Sequence, residues 1–177
     1  MPTFKIKDLY GELMYEGEAY NFIKFVVMNK TDLHGASLRG VNLHGADLYR
    51  ADLYGANLSE ADLRGASLRG ADLSEADLHG ADLRRADLRG ANLHGADLHK
   101  ASLRGADLHK ASLDFSSLPL WCGSFKMKVD SRFVWQLICH ITRLDVSDTS
   151  KDAKTAIEKL GEYANNFCDY REDIERI

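Results

Sequence analysis

Six histidines fall between residues 34 and 109, and two of them, His79 and His99, stand twenty residues apart, each two positions after an aspartate (Asp77 and Asp97). Two imidazoles and a carboxylate could hold zinc. No buried second shell is evident around them, so the pair reads as a solvated ladder, and neither a metal nor a cofactor is expected. Ser37, Ser67, Ser102 and Ser112 each precede a leucine, a place where a hydroxyl bonds into a turn rather than attacking a substrate. Cys122, Cys139 and Cys168 have no C-x-x-C spacing, which fits neither a disulfide framework nor a zinc module. They suit small core positions and a reducing cytosol. No P-loop, H-E-x-x-H, G-x-S-x-G or dinucleotide fingerprint occurs. An enzyme is not expected.

The remaining candidates are cations. Arg64, Arg84 and Arg104 recur at intervals of twenty, Arg69 and Arg89 do the same, and Arg85 adjoins Arg84. Guanidinium groups suit bidentate contact with carboxylate or phosphate. These six are the candidate partner-binding residues, with Asp62, Asp82 and Asp87 close enough in sequence to relieve their mutual repulsion. Whether they share a surface depends on the elements that carry them.

The chain of 177 residues is long enough for one domain with small terminal additions. Its 23 Lys+Arg against 27 Asp+Glu give a net charge of −4, which excludes a domain-wide basic field for nucleic acid and an acidic tail. Hydrophobic residues make up 45%, ordinary for a folded protein. Lys24 interrupts the apolar run from Phe22 to Met28, so neither a signal-peptide core nor a membrane span is expected. The sequons at Asn29 and Asn57 then read as chance matches.

An internal repeat decides the architecture. Leucine recurs every five residues at Leu33, Leu38, Leu43, Leu48, Leu53, Leu58, Leu63, Leu68, Leu73, Leu78, Leu83, Leu88, Leu93, Leu98, Leu103, Leu108, Leu113 and Leu118. Alanine stands two residues before fifteen of these eighteen, and Thr31, Val41 and Ser116 before the rest. Asp, Asn or Ser directly precedes each leucine, and glycine closes ten of the units. A period of five would spiral around a helix and alternate faces on a strand. The leucines can share an interior only if the chain turns a corner every five residues. A type II turn wants positive φ at its third residue, where glycine is cheapest. Four corners close a coil of twenty residues, and coils stack at roughly 4.8 Å.

The A(D/N)LxG pattern of residues 31–118 resembles the pentapeptide-repeat proteins. The resemblance implies a right-handed quadrilateral β-helix, with the leucines and the small residues two before them pointing inward as the structural core. The fold class expected is mainly β.

The flanks read as caps for the open ends of such a coil, whose strand edges would otherwise invite aggregation. Residues 1–30 are expected to form a β-hairpin around Gly11 and a short helix beginning at Asn21. For residues 21–30 a first irregular coil is the alternative, since the register would put Ile23 and Met28 at leucine positions. The hairpin-plus-helix layout resembles the lead-in of bacterial and phage pentapeptide-repeat proteins. Residues 31–120 are the repeat, about four and a half coils. Pro119, Trp121 and Phe125 end it, and residues 121–177 are expected to form a helical cap. Its first helix starts at Asp130 or Ser131, and a second follows Asp145–Ser150.

Taking every fourth repeat as one side, Arg50, Arg64, Arg69, Arg84, Arg85, Arg89, Arg104 and Lys110 gather on two adjacent sides with a net charge of +3. The other two sides sum to −6. The expected function is that of a non-catalytic interaction scaffold in the cytoplasm with a protein as partner, a monomer or dimer, binding neither membrane nor nucleic acid. Two alternatives remain. Some pentapeptide-repeat proteins resemble B-DNA and act on DNA gyrase, although the mixed charge here departs from that subgroup. The arginine sides could otherwise bind an anion or nucleic acid directly.

Overall fold

The computed structural model describes residues 1–113 together with Ser116, Ser117 and Thr155. The chain divides into two compact units, Met1–Val129 and Asp130–Ile177, and the architecture that follows is that of the first. Leu118, the aromatic residues Trp121 and Phe125, the three cysteines and, Thr155 apart, the two expected C-terminal helices lie outside the described residues.

Each repeat turns a corner. The Ala36 amide donates to the Leu33 carbonyl at 3.0 Å, and the same bond recurs at every later corner through Ser116 to Leu113 at 3.1 Å. Within each turn only the third residue has positive φ, from Gly35 at +63° to Lys110 at +62°, the type II pattern. Ten of these positions are glycine; Arg50, Glu60, Glu75, Arg85, Lys100 and Lys110 hold the other six in the same left-handed conformation.

Four corners return the chain above itself. Parallel ladders run Ser37–Asn57–Asp77–Asp97–Ser117, Asn42–Asp62–Asp82–Ser102, Asp47–Ser67–Asp87–Asp107 and Asp52–Asp72–Asn92–Ser112, one on each side. In each, a leucine amide donates to a carbonyl nineteen residues on, as Leu58 does to Asp77 at 2.7 Å. The result is a four-sided β-helix solenoid. Leu33 to Leu108 are at most 1% exposed and Leu113 is 6% exposed, with the alanines from Ala36 to Ala111 buried beside them. A fully buried leucine contributes about 1.5–3 kcal/mol, so the stacked leucines are the main source of cohesion.

At the N-terminal end, β1 (Thr3–Lys7) and β2 (Leu13–Glu18) form an antiparallel hairpin, and α1 (Phe22–Met28) follows. Residues 22–28 are thus helical rather than an irregular coil. The Asn21 side chain accepts from the Lys24 amide at 2.8 Å and starts the helix. Asp8 organises the hairpin turn by accepting from the Tyr10 and Glu12 amides at 2.9 and 2.8 Å. Beyond a register shift between Ile6 and Lys7, β1 continues onto the first coil. There the Ser37 amide donates to Lys7 at 2.8 Å and the Leu9 amide to Gly35 at 3.1 Å.

Candidate interaction surface

Among the described repeats the fourth and fifth residues lie on a corner and, Ser59 and Ser74 apart, reach solvent, so the repeat sequence writes the surface directly. The carboxylate or amide oxygen of the second residue accepts from the amide of the fourth, as Asp77 does from His79 at 2.9 Å. This Asx-turn bond is why Asp and Asn dominate that position.

An arginine at the fourth position meets the same oxygen. Arg64 binds Asp62 through Nε at 2.8 Å and Nη2 at 2.6 Å. Arg84 binds Asp82 and Arg89 binds Asp87 in the same bidentate way. The Arg64 hydrogen bonds hold the Asp62 carboxyl down at about 2; Asp82 and Asp87 are likewise lowered by their arginines, against some desolvation. Weaker contacts tie adjacent coils, Arg64 to Asp82 at 3.7 Å and Arg89 to Asp107 at 4.0 Å.

Where serine replaces aspartate there is no clamp. Ser67 precedes Arg69 and Ser102 precedes Arg104, and neither arginine has a carboxylate within 4.0 Å among the described residues. Arg85, on the corner after Arg84, also lacks one. The six sequence-predicted arginines are all exposed, but the structure separates them into Arg64, Arg84 and Arg89, held by their own repeats, and Arg69, Arg85 and Arg104, which are not. The signal was in the sequence: ADLR marks a clamped arginine and ASLR an unclamped one. Expecting one uniform array overlooked it.

The corner residues carry a second pattern. Glu60 accepts from Arg39 at 2.9 Å and Glu75 from the Tyr54 hydroxyl at 2.8 Å. In both pairs the corner residue meets the fourth residue of the repeat one coil earlier, twenty-one positions back. Ser59 and Ser74, each only 7% exposed, are small enough to let Arg39 and Tyr54 reach past. Charged corners also stand over glycine corners of the next coil: a Cβ on Gly70, Gly80, Gly95 or Gly105 would lie 3.6–3.7 Å from the Cγ of Arg50, Glu60, Glu75 or Arg85.

His79 and His99 stack with ring centroids 5.6 Å apart, and His34 stacks on Tyr54 at 4.8 Å. Among the described residues no group of His, Cys, Asp and Glu is placed to hold a metal ion, and no helix is long and apolar enough to cross a membrane.

The pentapeptide repeats family matches residues 24–53, 51–90 and 86–118 in eight copies, together more than half the chain. The chain belongs to the pentapeptide-repeat family. The match begins inside α1, where Met28 keeps the five-residue register although its backbone is helical. Among solved structures, the chain is similar to a pentapeptide repeat protein from the thylakoid lumen of Arabidopsis thaliana, at 30% identity over 70% of this chain and 83% of that one, with a TM-score of 0.51. It is also similar to a pentapeptide repeat protein from Nostoc PCC 7120, at 38% identity over 61% and 92%, TM-score 0.31. A third, from the cyanobacterium Cyanothece 51142, matches at 37% identity over 51% and 60%, TM-score 0.38. No curated protein matches the chain.

Proposed function

We propose that this pentapeptide-repeat protein is a non-catalytic interaction scaffold that presents its arginine-bearing sides to a protein partner. The observation that carries the reading is the cationic pair of sides, with six exposed arginines held on hydrogen-bonded ladders. Such a surface is preorganised, which lowers the ordering cost of association. On the same reading the β-helix is right-handed, residues 1–30 cap its first coil, and the protein works in the cytosol, where its scattered cysteines stay reduced.

The test is partner capture from the source organism with wild type and with a variant in which Arg64, Arg69, Arg84, Arg85, Arg89 and Arg104 are all serine. The variant should fold, lose the captured partner, and the wild-type capture should weaken with salt, since exposed charges are screened within about 10 Å at 0.1 M. Retention of the same partner by the folded variant would refute the reading.

A further inference from the structure

Arg85 combines two features that together call for an explanation. Its φ of +60° places an ordinary L-residue in the left-handed region, which favours glycine. Glu60 and Glu75 adopt the same conformation, and each gains a partner from the coil before, Arg39 and Tyr54. The residue in that place for Arg85 is Arg64, a like charge already committed to Asp62. Arg85 therefore keeps a disfavoured backbone with no side-chain hydrogen bond or ion pair among the described residues. Uncompensated strain of this kind is a pointer to function.

The second feature is its neighbour. The Arg85 side chain runs toward the next coil, with its Cγ 3.7 Å from where a Cβ on Gly105 would stand. Arg104 directly precedes Gly105, and Ser102 replaces the aspartate that would have clamped it. One corner, spanning the third and fourth coils, thus presents two guanidinium groups that no carboxylate of their own repeats occupies.

We propose that Arg85 and Arg104 form a carboxylate-binding site that takes an acidic side chain of a partner protein. This rests on the scaffold reading and narrows it from six arginines to two. Paired guanidinium groups accept a carboxylate bidentately. The surroundings favour a short acidic segment over nucleic acid. Nucleic-acid affinity depends on neutralising many phosphates of a continuous chain; with Arg64, Arg84 and Arg89 already engaged by Asp62, Asp82 and Asp87, this corner offers only a pair of cations, the complement of a single carboxylate.

The probe is a fluorescein-labelled hexaglutamate peptide, followed by anisotropy at low salt. Arg85→Gly with Arg104→Ser should weaken its binding by about tenfold or more, since hydrogen bonds to charged groups are the strong ones. Arg50→Gly with Lys100→Gly removes the same charge, and relieves strain at two corners rather than one, away from this site; it should retain binding within about threefold, below the tenfold step that marks one lost charged contact. The single variant Arg85→Gly should unfold no earlier than wild type, which separates lost binding from lost folding. Equal weakening in the two double variants, or no peptide binding by wild type, overturns the proposal. Tighter binding of a duplex DNA or a phosphoserine peptide at this corner overturns the partner class. Failure of the scaffold reading is a different result, the unchanged partner capture by the sixfold variant.

Discussion

The fifth residue of each repeat is where single side chains have the clearest physical consequence. Gly65 has φ of +62° with nothing within 4 Å of a would-be Cβ, so a substitution there meets backbone strain and no clash. Gly65→Ala should cost about 1 kcal/mol and Gly65→Val more, while Gly65→Asn should cost less, because the short polar side chain of Asn eases the left-handed conformation and a β-branched one opposes it. Urea unfolding of the three variants checks the order. The clamps make a second prediction, with its sign set by Asp62. Its carboxyl is held at about 2 in the folded chain, first by the Arg64 side-chain hydrogen bonds, and lies near 3.9 when unfolded. Its contribution to stability is therefore complete above that unfolded value and disappears as pH falls through about 2. Asp62→Asn should flatten the loss of stability between those limits, read as the urea midpoint against pH.

Among the elements, the hairpin and α1 meet at one tight contact. A Cβ on Gly17 would stand 3.2 Å from the Phe25 ring, and Phe4, paired with Gly17 across the hairpin, packs against Phe22 and Phe25 with centroids at 5.7 and 5.9 Å. Gly17→Ala should displace that ring and lower Tm, and adding Phe25→Leu should recover part of the loss; additive losses in the double-mutant cycle would show that the two do not touch. This region also marks how far the sequence could be read. The hairpin around Gly11 and the helix start at Asn21 follow from local chemistry, in turn residues and a capping side chain. The leucine corners follow because a period of five admits one solution. The shift between Ile6 and Lys7, and the pairing of Asp8 with Ala36 on the first coil, depend on how distant segments meet, and no local pattern encodes that. The clamped and unclamped arginines fall between the two cases. The Asp or Ser two residues earlier was plain in the sequence, but its importance emerged only with the shared turn geometry that aims both side chains at one oxygen.

Over the solenoid as a whole, charge is nearly balanced, and this bears on the B-DNA likeness known for some members of the family. B-DNA presents one negative charge per about 1.7 Å, so each coil, roughly 4.8 Å high, would need about three uncompensated carboxylates to imitate it. Residues 31–118 hold 13 acidic and 10 basic residues, less than one net charge per coil. Three of those carboxylates, on Asp62, Asp82 and Asp87, are also bound by arginines of their own repeats, and Asp47 is engaged by Lys30 at 3.3 Å. The acidic sides do not escape this, because Arg39 pairs with Glu60 and Lys100 stands beside His99 on the same corner. A DNA-binding cleft that accepts a uniform polyanion would meet cations at most coils, and unpaired like charges in such a contact cost several kcal/mol. The protein should therefore leave DNA gyrase supercoiling unchanged at low-micromolar concentration. Substituting the ten basic residues of the repeat by neutral ones is the informative companion. If the wild type inhibits supercoiling as strongly as that variant, charge imitation does not govern the interaction and the argument from balance fails.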